Sequence, residues 1–287
     1  MSDRLTGPRV AALTVYPVKA CAGIALTRAP LRREGLAHDR EWMIVDARGR
    51  FVSQREQPAL ARIAVALNDD GLLLSADGHA PMRVPFHQPG VGRRPVQVWN
   101  DRTEAIDCGR AVGEWLSTFL HQPVGLVRFA PDLERPCDPV WVGPGAARVQ
   151  FADAFPLLLL SRESVADLGR RMGHPDLAWQ RFRPNVLIEG VEPYEEDLIE
   201  SLQAGAVALR LVKPCTRCSV PSVDPVLGVP TSIDPLTTLL GYRFDARLAG
   251  ATLGVNAVID RGETEALTVG QPLQPTHRWD DTRDFIS

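Results

Sequence analysis

No stretch of this chain is long and apolar enough to cross a bilayer. Its longest uncharged apolar run, around residues 155–160, falls far short of the roughly 20 residues such a helix needs. The opening MSDRLTGPRVAALTVYPVKACAG also lacks the unbroken apolar core of a secretory signal, because Pro17 interrupts its apolar run. Positive charge is not in excess either. Thirty-two Lys and Arg stand against 35 Asp and Glu, for a net charge of -3 and a pI near 6.1. That balance gives no general attraction to nucleic acid or anionic membranes, so any anion site must be assembled locally. Internal repeats and low-complexity tracts are missing. A cytoplasmic protein is expected, with no nucleic-acid or membrane partner.

Cysteine is scarce. Cys21, Cys108, Cys137, Cys215 and Cys218 are odd in number and, apart from the last two, widely spread, unlike a secreted disulfide framework. What is present is an ordinary globular composition, 45% hydrophobic over 287 residues, enough for two modest domains or one large one.

Short alternating apolar runs dominate. Residues 10–16, 42–45, 63–67, 72–74, 96–99, 126–129, 185–189, 207–212 and 267–269 read as strands, with turn signals such as DARG at 46–49 and NDDG at 68–71 between several of them. The spacing predicts antiparallel meanders or a barrel rather than repeated strand-helix-strand units. Two segments carry helical period. Val112, Trp115, Leu116, Phe119 and Leu120 form one stripe, and Val165, Leu168 and Met172 form another after Ser161, an N-cap. Residues 130–145, rich in Pro and Gly, read as a connector. The EEDLIE run at 195–200 reads as a solvated face.

The stretch LVKPCTRCSVPSVDP, residues 211–225, holds the two neighbouring cysteines. Pro214 is expected to end the preceding strand, which leaves the thiols on a loop carried by a rigid element. Three chemistries are open. A structural zinc site lacks a second pair of ligands, since the other cysteines stand alone and no H-x₃₋₅-H pair exists. A thioredoxin-like dithiol lacks a following helix, because Pro221 and Pro225 come too soon. A single reactive or metal-ligating thiolate is the third, with Lys213 and Arg217 favouring the ionised sulfur. Against all three stands a tight turn with two buried cysteines.

The segment KPCTRCSVPSVDP nevertheless resembles the signature of MOSC-domain proteins. It is most similar to the branch containing the mitochondrial amidoxime-reducing component and its bacterial relatives. YPVKACAG at 16–23, HDREWMIVDARG at 38–49, FADAFPLLLLSRESVADL at 151–168 and RFRPNVLI at 181–188 resemble further family motifs in the same order. The likeness runs from about residue 10 to 272.

This resemblance implies an α+β, mainly β fold, with a few short helices. Residues 1–40 and 130–275 would form the MOSC β-barrel, 41–129 an inserted N-terminal module, and 276–287 a tail. It implies a molybdenum cofactor with Cys218 as the protein's metal ligand and catalytic residue. Lys19, Arg40, Arg183, Asn185 and Arg217 would contact the pterin and phosphate. Arginine forks suit phosphate oxygens, and a soft thiolate suits a soft, high-valent metal. Asp224 reads either as a catalytic group near the metal or as an Asx-turn before Pro225. Cys21 and Cys108 read as small buried residues.

The implied activity is reduction of small N-hydroxylated compounds by oxygen-atom removal. Electrons would come from a separate ferredoxin, flavoprotein or cytochrome, since no cysteine follows Cys218 to hold an iron–sulfur cluster. The alternative is a sulfur carrier or a cofactor trafficking or storage protein working through Cys218. Pyridoxal phosphate enters by family analogy only. Several positions depart from the family pattern. A Lys-Ser becomes Lys19-Ala20, and an Asp-Thr-Ser-Pro becomes Asp153-Ala154-Phe155-Pro156, with loss of hydroxyl donors.

Overall fold

A computed structural model describes residues 7–87 and 92–278; residues 279–287 of the expected tail and 1–6 of the first segment lie outside the described residues. The fold is α+β and mainly β. Its largest sheet has nine strands and curls round one core. Its path runs Ile24–Leu26, Arg9–Val15, Val186–Glu189, Leu157–Ser161, Gly250–Arg261, Val207–Thr216, Ile199–Ala204 and Gln274–His277, and the ninth strand, Phe244–Asp245, pairs with Gly250–Arg261 off this path. One pairing, Leu157–Ser161 with Val186–Glu189, is parallel, and the helix Arg162–Arg171 makes the connection. Alternation explains the core: Val207, Leu209 and Leu211 point inward with Val10, Leu13, Leu159 and Val255.

A second core lies under a three-stranded meander, Ala64–Asn68, Gly71–Ser75 and Met82–Pro85. Beside it runs a four-stranded sheet ordered Trp42–Asp46, Val124–Phe129, Asp101–Asp107, Arg93–Val98. The helix Arg110–Leu120 closes this half by burying Val112, Leu116, Phe119 and Leu120, the stripe its sequence predicts. Ser161 caps the other long helix by accepting from the Ser164 N–H at 3.0 Å. Among the described residues no helix is long and apolar enough to cross a membrane.

Three expectations need correction. The strand Val207–Thr216 runs through Pro214, which pairs with Val255. Register shifts flank the proline on both sides, and these bulges absorb its missing N–H, so the chain leaves the sheet two residues later than expected. The 195–200 run is not a solvated face either. Glu196 is fully buried, accepting from the Ser161 N–H and the Ser164 hydroxyl. Burial, reinforced by the Asp197 charge, pushes its carboxyl up. The connector at 130–145 carries a short strand, Arg135–Pro136, and a short helix, Pro139–Val142.

The twelve-residue strand Gly250–Arg261 carries no alternation to announce it, because it is buried on both faces through most of its length. One of its residues positions the loop beyond Thr216. Gly254 has a left-handed φ of 71°, and a Cβ there would lie 2.6 Å from the Leu159 carbonyl oxygen. It sits opposite the register shift between Pro214 and Thr216. Gly254→Ala should lower stability by about 2 kcal/mol, read as a lower urea midpoint at unchanged slope.

Candidate functional site

A cavity of about 380 Å³ opens where residues from both halves meet. Its wall takes Lys19 from the turn after Arg9–Val15, Arg40 from the turn before Trp42–Asp46, Trp99 from a hairpin tip, the segment 152–158, the segment 181–185, and Lys213 to Pro221. Seven cations line it, Lys19, Arg40, Arg55, Arg181, Arg183, Lys213 and Arg217, against one carboxylate, Asp153. In a protein of net charge -3 this is a local concentration of positive charge.

Lys19 is buried to 5% exposure, and its ammonium donates to the Phe151 carbonyl at 2.7 Å and to Asp153 Oδ1. Burial pushes its pKa down, and Asp153 opposes that shift. Asp153 Oδ1 also accepts from the Trp99 indole N–H at 2.7 Å. Its side chain opens to the cavity with 72% of its surface accessible, although protein closes round it. That enclosure would raise its pKa, but the Lys19 charge and the two hydrogen bonds outweigh it and hold the carboxyl well below the usual range.

Arg40 and Arg183 both rest on the ring of Tyr16, with guanidinium carbons 4.4 Å and 4.2 Å from its centroid. Arg40 pairs with Asp39 and donates to the Arg183 carbonyl at 3.2 Å, while Arg183 donates to the Cys21 carbonyl at 2.8 Å. Burial lowers the Arg183 pKa, and the neighbouring Arg40 charge adds to the effect. An anion placed between two such cations relieves their repulsion. Ala20, Arg40, Trp99 and Arg183 all have left-handed backbones, with φ of 70°, 49°, 54° and 55°, and all four line the cavity. Non-glycine residues in this region carry roughly 1–2 kcal/mol of strain each, which accumulates where function fixes the backbone.

Cys215 and Cys218 both line the cavity, Cys218 exposed and Cys215 half-buried. Burial raises the Cys215 thiol, with Arg217 opposing and the nearby Asp153 and Cys218 adding to the rise. Cys21 and Cys108 are buried, their thiols pushed up to about 12, as inert core sulfurs are.

Arg217 and Asn185 line the same cavity, but much of their polar capacity is already committed. Arg217 donates twice to the Leu253 carbonyl, at 2.8 and 2.6 Å, and once to the Phe182 carbonyl at 3.2 Å. The Asn185 amide accepts from the Leu158 N–H at 3.1 Å and donates to the Thr14 carbonyl at 3.3 Å, tying two strands together.

Asp224 does not meet its catalytic expectation. It is not among the lining residues, and it forms the Asx-turn that the following Pro225 favours. Its Oδ1 accepts from the Val226 and Leu227 N–H groups at 2.9 Å each, and its Oδ2 accepts from Arg181 at 3.2 Å. The backbone N–H donors hold its carboxyl below the ordinary value.

Sequence reasoning missed Asp153, Trp99, Arg55, Arg181 and Arg135. Arg181, 6% exposed, donates to the Pro221 and Val223 carbonyls at 3.1 and 3.0 Å and so fixes the loop after Cys218. Arg135 lies in the stretch read as a connector. It donates to the carbonyls of Gln150, Ala152 and Asp153 and pairs with Asp101, bracing the cavity wall. Arg135 and Arg181 carry one usable signal, an arginine shortly before a proline, Pro136 and Pro184; Trp99 and Arg55 carry none.

Among the described residues no group of three or more His, Cys, Asp or Glu side chains converges to hold a metal. The donor set is one exposed thiol, Cys218, with the half-buried Cys215 beside it, at a cationic cavity. It fits a metal that arrives with its own soft donors on an anionic carrier, and not a metal caged by protein.

Comparisons with known proteins agree in extent. The family model for the MOSC N-terminal beta barrel domain matches residues 7–123, and that for the MOSC domain matches residues 146–274. The chain is 35% identical over 251 residues to mitochondrial amidoxime-reducing component 1 of Homo sapiens, covering 82% of this chain and 72% of that protein. The Danio rerio counterpart is 30% identical over 272 residues, covering 92% and 83%. Molybdenum cofactor sulfurase of Arabidopsis thaliana is 31% identical over 261 residues, covering 80% of this chain but 31% of that longer protein.

Proposed function

Because the chain belongs to the MOSC-domain family, whose curated relatives are amidoxime-reducing components and molybdenum cofactor sulfurases, we propose that it is a molybdenum-cofactor oxidoreductase reducing N-hydroxylated compounds. One observation carries the reading: a single exposed thiol, Cys218, shares a cavity with seven cations, and no metal-ligating cluster occurs among the described residues. The division of the chain belongs to the same reading, with residues 1–40 and 130–275 forming the barrel and 41–129 the inserted module. The ladder of Arg9–Val15 with Val186–Glu189 supports it.

Cys218 offers the one protein thiolate to the metal. Lys19, Arg40 and Arg183 hold and orient the anionic pterin, with Arg217 contributing its charge and Asn185 setting the wall. The cofactor, when bound, supplies the two-electron redox chemistry that removes the oxygen of an N–O bond. The balance is R–NHOH plus two electrons and two protons giving R–NH₂ and water. The electrons come from a separate donor such as a ferredoxin, flavoprotein or cytochrome. Both protons come ultimately from solvent. Asp153 is ionised at neutral pH and does not store one; it favours the charged form of Lys19 and holds the Trp99 indole in place.

The test is molybdenum and pterin content of protein made in cofactor-competent cells, followed by benzamidoxime turnover with a reduced low-potential dye. Near-stoichiometric molybdenum with release of benzamidine is expected. Absence of both metal and pterin would overturn the reading. Bound cofactor without reduction would replace it with a carrier or storage role, which the exposed Cys218 and the likeness to the sulfurase favour as the second reading.

A further inference from the structure

We propose that a groove beside the cavity mouth, built on Trp99, Phe51 and Arg55, is a substrate subsite that selects planar, conjugated N-hydroxylated compounds bearing an anionic group. The inference rests on the reductase reading above and names its substrate class.

The groove has a volume of about 440 Å³ and shares Phe51, Ser53, Arg55 and Trp99 with the cavity, so a ligand lying in it reaches the site continuously. Trp99 is the first residue of a two-residue turn joining Arg93–Val98 to Asp101–Asp107, at a φ of 54°. Glycine usually fills this position, and a bulky aromatic there is an outlier that needs a reason. Local structure does not provide one, since 41% of Trp99 remains exposed. Its placement is nonetheless fixed on three sides. The indole N–H donates to Asp153, the Gln97 amide donates to the Trp99 carbonyl at 2.6 Å, and Phe51 meets the ring edge-on at 5.2 Å. A strained, exposed and immobilised aromatic ring is a preorganised stacking surface.

Charge defines the rest of the ligand. The Arg55 guanidinium lies 4.6 Å from the Trp99 ring centroid and is exposed, and no carboxylate among the described residues pairs with it. The other charged groups of the groove are occupied. Arg50 pairs with Asp46 at 2.8 Å, and Glu56 accepts from the Ser53 N–H and hydroxyl. Arg55 is therefore the group left to meet an anion, beside a surface suited to a planar π-system.

The experiment compares benzamidoxime, 4-carboxybenzamidoxime and acetamidoxime on the holoenzyme. In Arg55→Gln the kcat/KM ratio of the carboxylated to the uncharged aryl substrate should fall roughly fivefold, as loss of one part-exposed charge pair does. In Trp99→Leu the ratio of benzamidoxime to acetamidoxime should fall roughly tenfold, and Trp99→Phe should restore most of it, because a ring returns without the hydrogen bond to Asp153. Unchanged ratios in both variants would overturn the subsite while leaving the reductase reading in place.

Saturation-transfer NMR with 4-carboxybenzamidine separates the two failures. If the wild type turns over none of the three, the reductase reading fails. The subsite then stands only if the ligand signal is present in wild type and weakened in Arg55→Gln. No signal in wild type, or one insensitive to both substitutions, would overturn it.

Discussion

Cys218→Ser should reduce turnover of N-hydroxylated substrates by at least about 100-fold, close to 3 kcal/mol of lost transition-state stabilisation, while leaving the fold intact. The serine oxygen is a hard donor that stays protonated at neutral pH, and it substitutes poorly for a thiolate toward a soft metal. Cys218 is exposed at the edge of the cavity and makes no hydrogen bond to the protein among the described residues. Its replacement therefore costs little packing, and the thermal midpoint of the cofactor-free protein should move by about 1 °C or less. Molybdenum content measured on the same preparation completes the test. A variant that keeps both metal and activity would remove Cys218 from the site. Cys215→Ser is the comparison. Its thiol is raised by burial and lies half-covered, so it should keep the metal.

Arg181→Met should be the most destabilising single change near the site, at roughly 3 kcal/mol. The arginine is 6% exposed and holds two carbonyls and the Asp224 carboxylate with one side chain. Methionine fills much of the volume but donates nothing, so the Pro221 and Val223 carbonyls and part of Asp224 lose their partner. Chemical denaturation reads the loss directly. A second consequence distinguishes it from general weakening. The loop 219–224 is the segment that follows Cys218, so cofactor retention should fall at temperatures where the variant is still folded. A change below about 0.5 kcal/mol would show that the loop holds its shape without the arginine.

Much of this arrangement was legible in the chain, for physical reasons that can be named. Sheets buried on one face alternate, so Val207, Leu209 and Leu211 announce themselves, and Ser161 announces a helix start through its hydroxyl. Lys19, Arg40, Arg183, Asn185, Arg217 and Cys218, drawn from separate motifs, do line one cavity.

What stayed hidden depends on contacts that sequence spacing does not encode. Asp224 matched its motif as well as Cys218 did, yet its oxygens are committed to its own turn and to Arg181. Glu196 sat in an acidic run that reads as surface, and only the docking of the Ser161 helix start makes it interior. Pro214 obeyed the rule against prolines in ladders only in the sense that bulges surround it. The left-handed backbones at Ala20, Arg40, Trp99 and Arg183 left no glycine or asparagine to betray them.

The hydrogen bonds that define the cavity also fix when it comes into being. Lys19 reaches Asp153 across 134 positions, Arg183 reaches Cys21 across 162, Arg40 reaches the Arg183 carbonyl across 143, and Trp99 reaches Asp153 across 54. Closing loops of that length precedes any gain from the contacts they allow, so such contacts form late. Nascent chain with only its first half folded holds half of each contact and no cavity. On the function proposed above, cofactor capture would be confined to molecules in which both halves are complete, and a bound cofactor would certify a finished fold.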